Sequence, residues 1–169
     1  MIPLIVAAAA FVPMILEAIV STRHERLLIA QGAVEPQDDV IAIMRLAYPG
    51  AFAAMVAEAW LRRPVIDDVF LSGATLFVVA KALKYWAIAT LGTRWTFRVL
   101  VPRQSVRITT GPYALMRHPN YVAVLGELLG GMLMAHAWIA GPVATITFGA
   151  LMLARIRVEE RALGLESRR

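Results

Sequence analysis

The sequence has no cysteine. That removes disulfides, thiolate metal sites and a thiol nucleophile together. Charge is scarce as well: 17% of its 169 residues are Asp, Glu, Lys or Arg, against about a quarter in a soluble domain. With 59% hydrophobic residues and a mean hydropathy of +0.65, the apolar surplus must face something other than water, which points to the bilayer. Acids are fewer than bases, 12 against 17, for a formal charge of +5. In a membrane protein such a surplus reports cytoplasmic loops. No nucleic-acid-binding motif accompanies it, so no nucleic-acid partner is expected. The three histidines, His24, His118 and His136, show no transition-metal spacing, and no metal site is expected. The first apolar run has no basic segment before it and no small-x-small cleavage site after it, so it reads as a retained helix. No internal repeat or low-complexity linker divides the chain.

A membrane span needs about 20 mostly apolar residues. Five stretches qualify or come close. Ile2–Val20 is interrupted by Glu17. Ile41–Leu61 carries Arg45 and Glu58 near its ends. Val69–Leu91 holds Lys81 and Lys84 in its last half. Pro119–Ala135 and Ala137–Ala154 are short and read as a hairpin, with Gly141-Pro142 as the turn. A long polar loop, roughly Gly92–Met116, carries Arg94, Arg98, Arg103 and Arg107. Lipid-exposed backbone must be paired internally, so the spans are helices. The expected fold is an all-α integral membrane protein of about five helices. It forms one domain over residues 1–169: three N-terminal spans (1–91), a loop (92–118), then a helical hairpin and tail (119–169).

Arginine placement predicts orientation. With the N-terminus outside, the inner segments hold Arg23, Arg26, Arg94, Arg98, Arg103, Arg107, Arg117 and the arginines from Arg155 onward; the outer ones hold Arg62 and Arg63. That excess favours a cytoplasmic C-terminus, in keeping with a bacterial inner membrane.

The stretch Gly111–Gly131, GPYALMRHPNYVAVLGELLGG, gathers polar groups at the start of the fourth helix. Pro119 suits the first helical turn, where its missing N–H costs nothing. His118 then falls at or near the N-cap. The free N–H groups and partial positive charge of a helix start favour an anionic group, and Arg117 would add bidentate pairing with a carboxylate or phosphate. Glu127 lies deeper, on the face of Asn120 and Ala123. An acid inside a span is a functional-site hypothesis by default. Gly126 and Gly130 form a small-xxx-small pair, expected chiefly to pack closely on the fifth helix, with room for a bulky flat ligand beside the backbone as the alternative. Past that helix, ARIRVEERAL sets Arg155 four residues before Glu159 and Arg157 three before Glu160, spacings that either pair on a surface or present two adjacent acids to a ligand.

These residues resemble the isoprenylcysteine carboxyl methyltransferase family. GPYALMRHPNYVAVLGELL followed by RIRVEERAL carries the likeness, and ALKYWAIATLGTRWTFRV (82–99) extends it upstream. STRHERLLIAQGAVE and the later YPG resemble a bacterial branch that includes alkylpyrone and alkylresorcinol O-methyltransferases. That branch commonly reads Arg-Asn-Glu where this chain has Arg23-His24-Glu25, and many family members have glycine at the position of Ala123. The resemblance implies a membrane enzyme that uses S-adenosylmethionine, held by the helical hairpin. One wall of the cofactor site would be Tyr113, Arg117, His118, Pro119, Asn120 and Tyr121. The other would be Arg155, Glu159 and Glu160.

On that reading the acceptor is a lipophilic molecule arriving from the bilayer. Positioning of acceptor and methyl donor is the main catalytic lever. Tyr113 or Tyr121 would face the cationic sulfur. The cofactor carboxylate suits Arg117 and the helix start; its ribose suits Glu159 or Glu160. Arg94, Arg98 and Arg155 are the candidates to stabilise an acceptor anion, with Trp95 and Thr96 shaping the acceptor side. Glu127 or His118 would serve as base if the acceptor arrives protonated. Two other readings stand beside it: an NADPH-dependent lipid reductase of related fold, and a non-enzymatic helical membrane protein that packs on a partner.

Overall fold

The computed structural model describes residues 1–35, 40–101 and 108–162. Arg103 and Arg107 of the polar loop, and the tail residues 163–169, lie outside the described residues. Among the described residues five α-helices follow one another: α1 (Ile2–Ala30), α2 (Ile41–Arg62), α3 (Asp68–Leu91), α4 (Pro119–Ala135) and α5 (Ala140–Ala162). Short 3-10 turns occupy Gly92–Arg94 and Gly111–Ala114. The fold is all-helical, as the sequence predicts.

α1 has 29 residues, about 43 Å at 1.5 Å per residue, so it outruns the roughly 30 Å hydrocarbon layer. It continues past Val20 because the polar stretch behind that residue contains no helix breaker. It ends where Gly32 takes a left-handed φ of 81° and the Ala33 N–H turns back to the Leu28 carbonyl at 3.0 Å, a glycine stop. Leu4, Val12 and Leu16 on its outer face are each more than half exposed, the arrangement a lipid-facing helix requires. Asp67 caps α3 by accepting from the Phe70 N–H at 2.9 Å.

α1, α2, α3 and α5 are long and apolar enough to cross a membrane. α4 has 17 residues, about 25 Å, short of a full hydrocarbon layer. Its shortness does not isolate it: α4 is the most enclosed helix, with Ala123, Glu127, Leu128 and Ala135 fully buried.

Two local expectations are corrected. Gly141 and Pro142 do not form the α4–α5 turn; they lie in the first turn of α5. The turn is residues 136–139, opened by His136 at a left-handed φ of 49°. Proline fits a first helical turn because no partner is needed for its nitrogen. From α2, Glu58 accepts from the Ala140 N–H at 2.7 Å and the Ile139 N–H at 3.2 Å, satisfying two amides at that helix start.

The second correction concerns the small-residue pair of α4, which packs on α3 and not on α5. A Cβ at Gly126 would lie 2.8 Å from Ala80 Cβ, and one at Gly130 would lie 2.8 Å from the Phe77 nitrogen and 2.9 Å from the Gly73 oxygen. Gly73 and Ala80, seven residues apart on α3, provide the matching gap, so the two backbones meet directly. Gly130→Ala must therefore push backbone away from backbone, at a cost of about 1–3 kcal/mol. Thermal unfolding in detergent should show a lowered midpoint for Gly130→Ala and none for Gly50→Ala, since nothing lies within 4 Å of a Cβ at Gly50.

Candidate active site

The start of α4 and the end of α5 come together through side chains far apart in sequence. His118 is the N-cap of α4, but its imidazole makes no cap bond. It turns to α5, with Nδ1 3.7 Å from Glu159 Oε2 and Nε2 3.4 Å from Glu160 Oε1. Arg117 Nη1 is 3.6 Å from the same Glu160 oxygen. Tyr121, one turn into α4, donates its hydroxyl to Glu159 Oε2 at 3.0 Å. The His118 and Tyr121 rings lie tilted at 43° to each other, with centroids 5.6 Å apart. Between them Asn120 presents an Oδ1 that is buried and has no hydrogen-bond partner.

Arg155, 5% exposed, lies one turn before Glu159. Its Nη2 donates to the Phe97 carbonyl, Nη1 is 4.0 Å from Met44 Sδ, and it also bonds Tyr121. The chain after α3 forms a strap over this region. Trp95 is buried within it, and Val34 and Val101 exchange two 3.0 Å backbone bonds that hold its far end. Arg98 pairs through two nitrogens with Glu35, and the hydrogen bond from that guanidinium holds the Glu35 carboxyl below its ordinary range. Burial pushes the Tyr113 phenol well up, and the Glu159 charge adds to it, so Tyr113 stays a neutral ring and hydroxyl at physiological pH.

These groups enclose a cavity of about 780 Å³, within the range of small-molecule sites. Arg117, His118, Pro119, Asn120, Tyr121 and Glu159 line its α4–α5 end. Arg94, Trp95, Thr96, Arg98, Tyr113 and Arg155 line it from the strap, the turn before α4 and α5. Met14, Ile15, Met44, Val124 and Phe148 add apolar lining. Two of the residues singled out by sequence do not reach it. Glu160 sits behind, pairing with Arg117 and His118. Glu127 is fully buried between helices.

Glu127 belongs to a group that sequence reasoning does not assemble. Lys81 Nζ is 2.8 Å from Glu17 Oε1 and 2.9 Å from Glu127 Oε2, while Lys84 Nζ is 2.7 Å from Glu17 Oε2 and 3.2 Å from Glu127 Oε1. Two ammonium and two carboxylate groups thus close a ring of alternating charge across α1, α3 and α4. Tyr48 of α2 donates to Glu127, and Lys84 lies over the Tyr48 ring at 5.3 Å. Lys84 Nζ also donates to Glu127 Oε2 at 3.4 Å, whereas its approach to Oε1 is off a hydrogen-bond line and acts by charge. Glu17, Lys84 and Tyr48 reach the cavity wall. Opposite charges in different predicted spans are the available signal, because ionisable residues inside a membrane pair with one another. Among the described residues no group of three His, Asp or Glu side chains converges as a metal site.

A sequence model described as the isoprenylcysteine carboxyl methyltransferase (ICMT) family matches residues 73–164. The chain is 29% identical over 147 residues to uncharacterized protein YpbQ of Bacillus subtilis, covering 87% of this chain and 88% of that protein. It is 25% identical over 145 residues to an uncharacterized protein of Haemophilus influenzae, covering 85% and 84%. It is 31% identical over 98 residues to the nickel-cobalt-cadmium resistance protein NccN of Alcaligenes xylosoxydans xylosoxydans, covering 57% of this chain and 45% of that protein. No solved structure matches.

Proposed function

The chain belongs to the isoprenylcysteine carboxyl methyltransferase family, and from that premise we propose that it is an S-adenosylmethionine-dependent O-methyltransferase of the membrane. Its acceptor is a lipid-like molecule bearing an acidic oxygen: the hydroxyl of an alkylresorcinol or alkylpyrone, or a prenylcysteine-type carboxylate. The proposed orientation places the N-terminus outside and the cofactor end of the bundle in the cytoplasm. The observation that carries this reading is the union of a polar pole, built from the α4 start and the α5 end, with one apolar cavity. A soluble charged cofactor and a greasy acceptor need both kinds of wall in one site.

The residues suit the cofactor's chemistry. Arg117 and the Asn120 N–H at the start of α4 would receive its carboxylate. Glu159, with Glu160 behind it, would accept from ribose hydroxyls. The unpartnered Asn120 Oδ1 offers an acceptor for an ammonium or exocyclic amino group, and a buried acceptor left unmade is costly enough to favour a ligand that satisfies it. The Tyr121 and Tyr113 rings would face the positive charge. When bound, the cofactor supplies an electrophilic methyl group on a cationic sulfur.

The chain's own work is alignment. Arg155, buried against the strap and Tyr121, holds the acceptor oxygen as an anion, and a guanidinium in a low-dielectric wall favours that ionised form. Arg94 adds positive potential from the strap side, Arg98 braces the strap through its pair with Glu35, and Trp95 and Thr96 bound the space for the acceptor. His118 is the cavity-lining candidate to take a proton from a hydroxyl acceptor. Glu127, locked between two lysines, holds helices together instead of moving a proton.

The test is calorimetric titration of the detergent-purified protein with S-adenosylmethionine, with NADPH as competitor. Binding undisturbed by NADPH is expected; displacement by NADPH would move the reading to a reductase. In the same assay Arg117→Ala, Glu159→Ala and Glu160→Ala should each weaken cofactor affinity by about tenfold or more, the scale of a lost charge-assisted hydrogen bond. Unchanged affinity in all three, with helicity intact, would reject the pocket.

A further inference from the structure

We propose that Ser21 and Glu25 of α1 are positioning residues for Arg155, acting through the two peptide groups that flank Phe97. The inference rests on the reading of Arg155 as the group that holds the acceptor oxygen. It starts from a feature outside the α4–α5 pole: α1 continues in helix beyond its membrane run, and its polar residues meet the strap.

Ser21 is 1% exposed and Glu25 8% exposed. The Phe97 N–H donates to Ser21 Oγ at 2.7 Å. Ser21 Oγ in turn donates to Glu25 Oε1 at 2.9 Å. Glu25 Oε1 also lies 3.4 Å from the Arg98 N–H and 3.5 Å from Arg45 Nη2. On the other side of the same residue, the Phe97 carbonyl accepts from Arg155 Nη2. Phe97 therefore stands between two planar peptide groups that each turn as a rigid unit: the one carrying its N–H is held by Ser21, and the one carrying its C=O, which also carries the Arg98 N–H facing Glu25, is held by Arg155. Turning the second group to free the Arg98 N–H from Glu25 also swings the Phe97 carbonyl away from the guanidinium, and Ser21 holds the first group in line beside it.

The direction of the hydroxyl proton completes the argument. Ser21 has one O–H to give, and Glu25 takes it, which leaves the Ser21 oxygen as an acceptor for Phe97. Glu25 thus sets the polarity of the chain, and Ser21 transmits it. Each bond polarises the next, so the series is stiffer than its members. A hydroxyl placed only for packing would not need a carboxylate behind it or a peptide in front of it.

Two readouts test this on the intact protein in detergent. The first is hydrogen exchange at the Phe97 amide and needs no acceptor. Ser21→Ala should speed it about tenfold, the scale of one buried hydrogen bond, and Arg155→Ala should also speed it. Ser21→Thr, which keeps the hydroxyl, should leave it near wild type. The second is a double-mutant cycle on methyl transfer to a long-chain alkylresorcinol. Ser21→Ala is expected to lower kcat about tenfold with cofactor affinity unchanged, and to lower it less than about twofold when Arg155 is already alanine. Glu25→Gln, which keeps the shape, gives a second variant if Ser21→Ala does not fold.

Exchange at Phe97 that ignores Ser21→Ala and Glu25→Gln overturns the proposal. So does an equal fall in kcat in both Arg155 backgrounds, because Ser21 would then act independently of Arg155. A wild-type protein that binds no S-adenosylmethionine rejects the proposed function instead, and the exchange measurement still decides whether α1 sets the Phe97 backbone.

Discussion

Replacing Lys84 alone with methionine is expected to cost the fold about 3–5 kcal/mol, the range found when one partner is removed from a buried ion pair. The ring explains the size. Without Lys84, the Glu17 and Glu127 carboxylates share the single ammonium of Lys81, and one negative charge is left uncompensated inside the helix bundle. Glu17 is 4% exposed and Glu127 is fully buried, so water cannot take over. The paired variant Glu17→Met/Lys84→Met should recover most of the loss. It removes opposite charges together and leaves Lys81 and Glu127 at 2.9 Å, with Tyr48 still donating to Glu127. Well-packed apolar replacements of buried pairs are often neutral. Thermal unfolding in detergent, followed by helicity, distinguishes the cases. If the single variant is as stable as the wild type, the ring does not hold α1, α3 and α4 together.

Arg155→Ala should have the largest effect on the proposed reaction, a fall in turnover of about 100- to 1,000-fold, comparable to losing one preorganised donor to a developing or bound oxyanion. S-adenosylmethionine affinity should change little by comparison. Arg155→Lys should fall between, because an ammonium cannot reach the Phe97 carbonyl, Tyr121 and an acceptor oxygen with the same planar fork. Incorporation of labelled methyl into a long-chain alkylresorcinol, measured beside calorimetric binding, separates the two effects. Retained turnover in Arg155→Ala would remove it from the reaction. A parallel loss of cofactor binding would move it to the cofactor wall.

The candidate site is largely legible as residue types. Arg117, His118, Pro119, Asn120 and Tyr121 are contiguous, and a helix start imposes their shared location. Glu159 and Glu160 are separated from them by about forty positions, yet the hairpin returns the chain to the same end, so a pair of adjacent helices is enough to predict the meeting. Glu127 invites a reactive reading because it stands as a lone acid in an apolar run. Its neutralising partners lie on α3, and no spacing within α4 announces them. Ser21, Glu25 and Tyr48 stand in stretches that carry the resemblance, yet no role is assigned to them there for a related reason: each acquires its role from a group on another element.

What the sequence alone determined is therefore the local and the periodic. The length and apolarity of the runs dictate helices able to cross a membrane, and the glycine and proline positions mark most of their ends. Tertiary structure decided the partnerships. The α4 glycines serve α3 because Gly73 and Ala80 lie opposite them. Gly141-Pro142 became a helix start because Glu58 of α2 caps the neighbouring amides. The two lysines of α3 became structural because α1 and α4 each bring them an acid. The physical reason is common to all three. Backbone preference is set within a few residues, whereas the free energy of a buried charge or a close backbone approach depends on what stands across the gap.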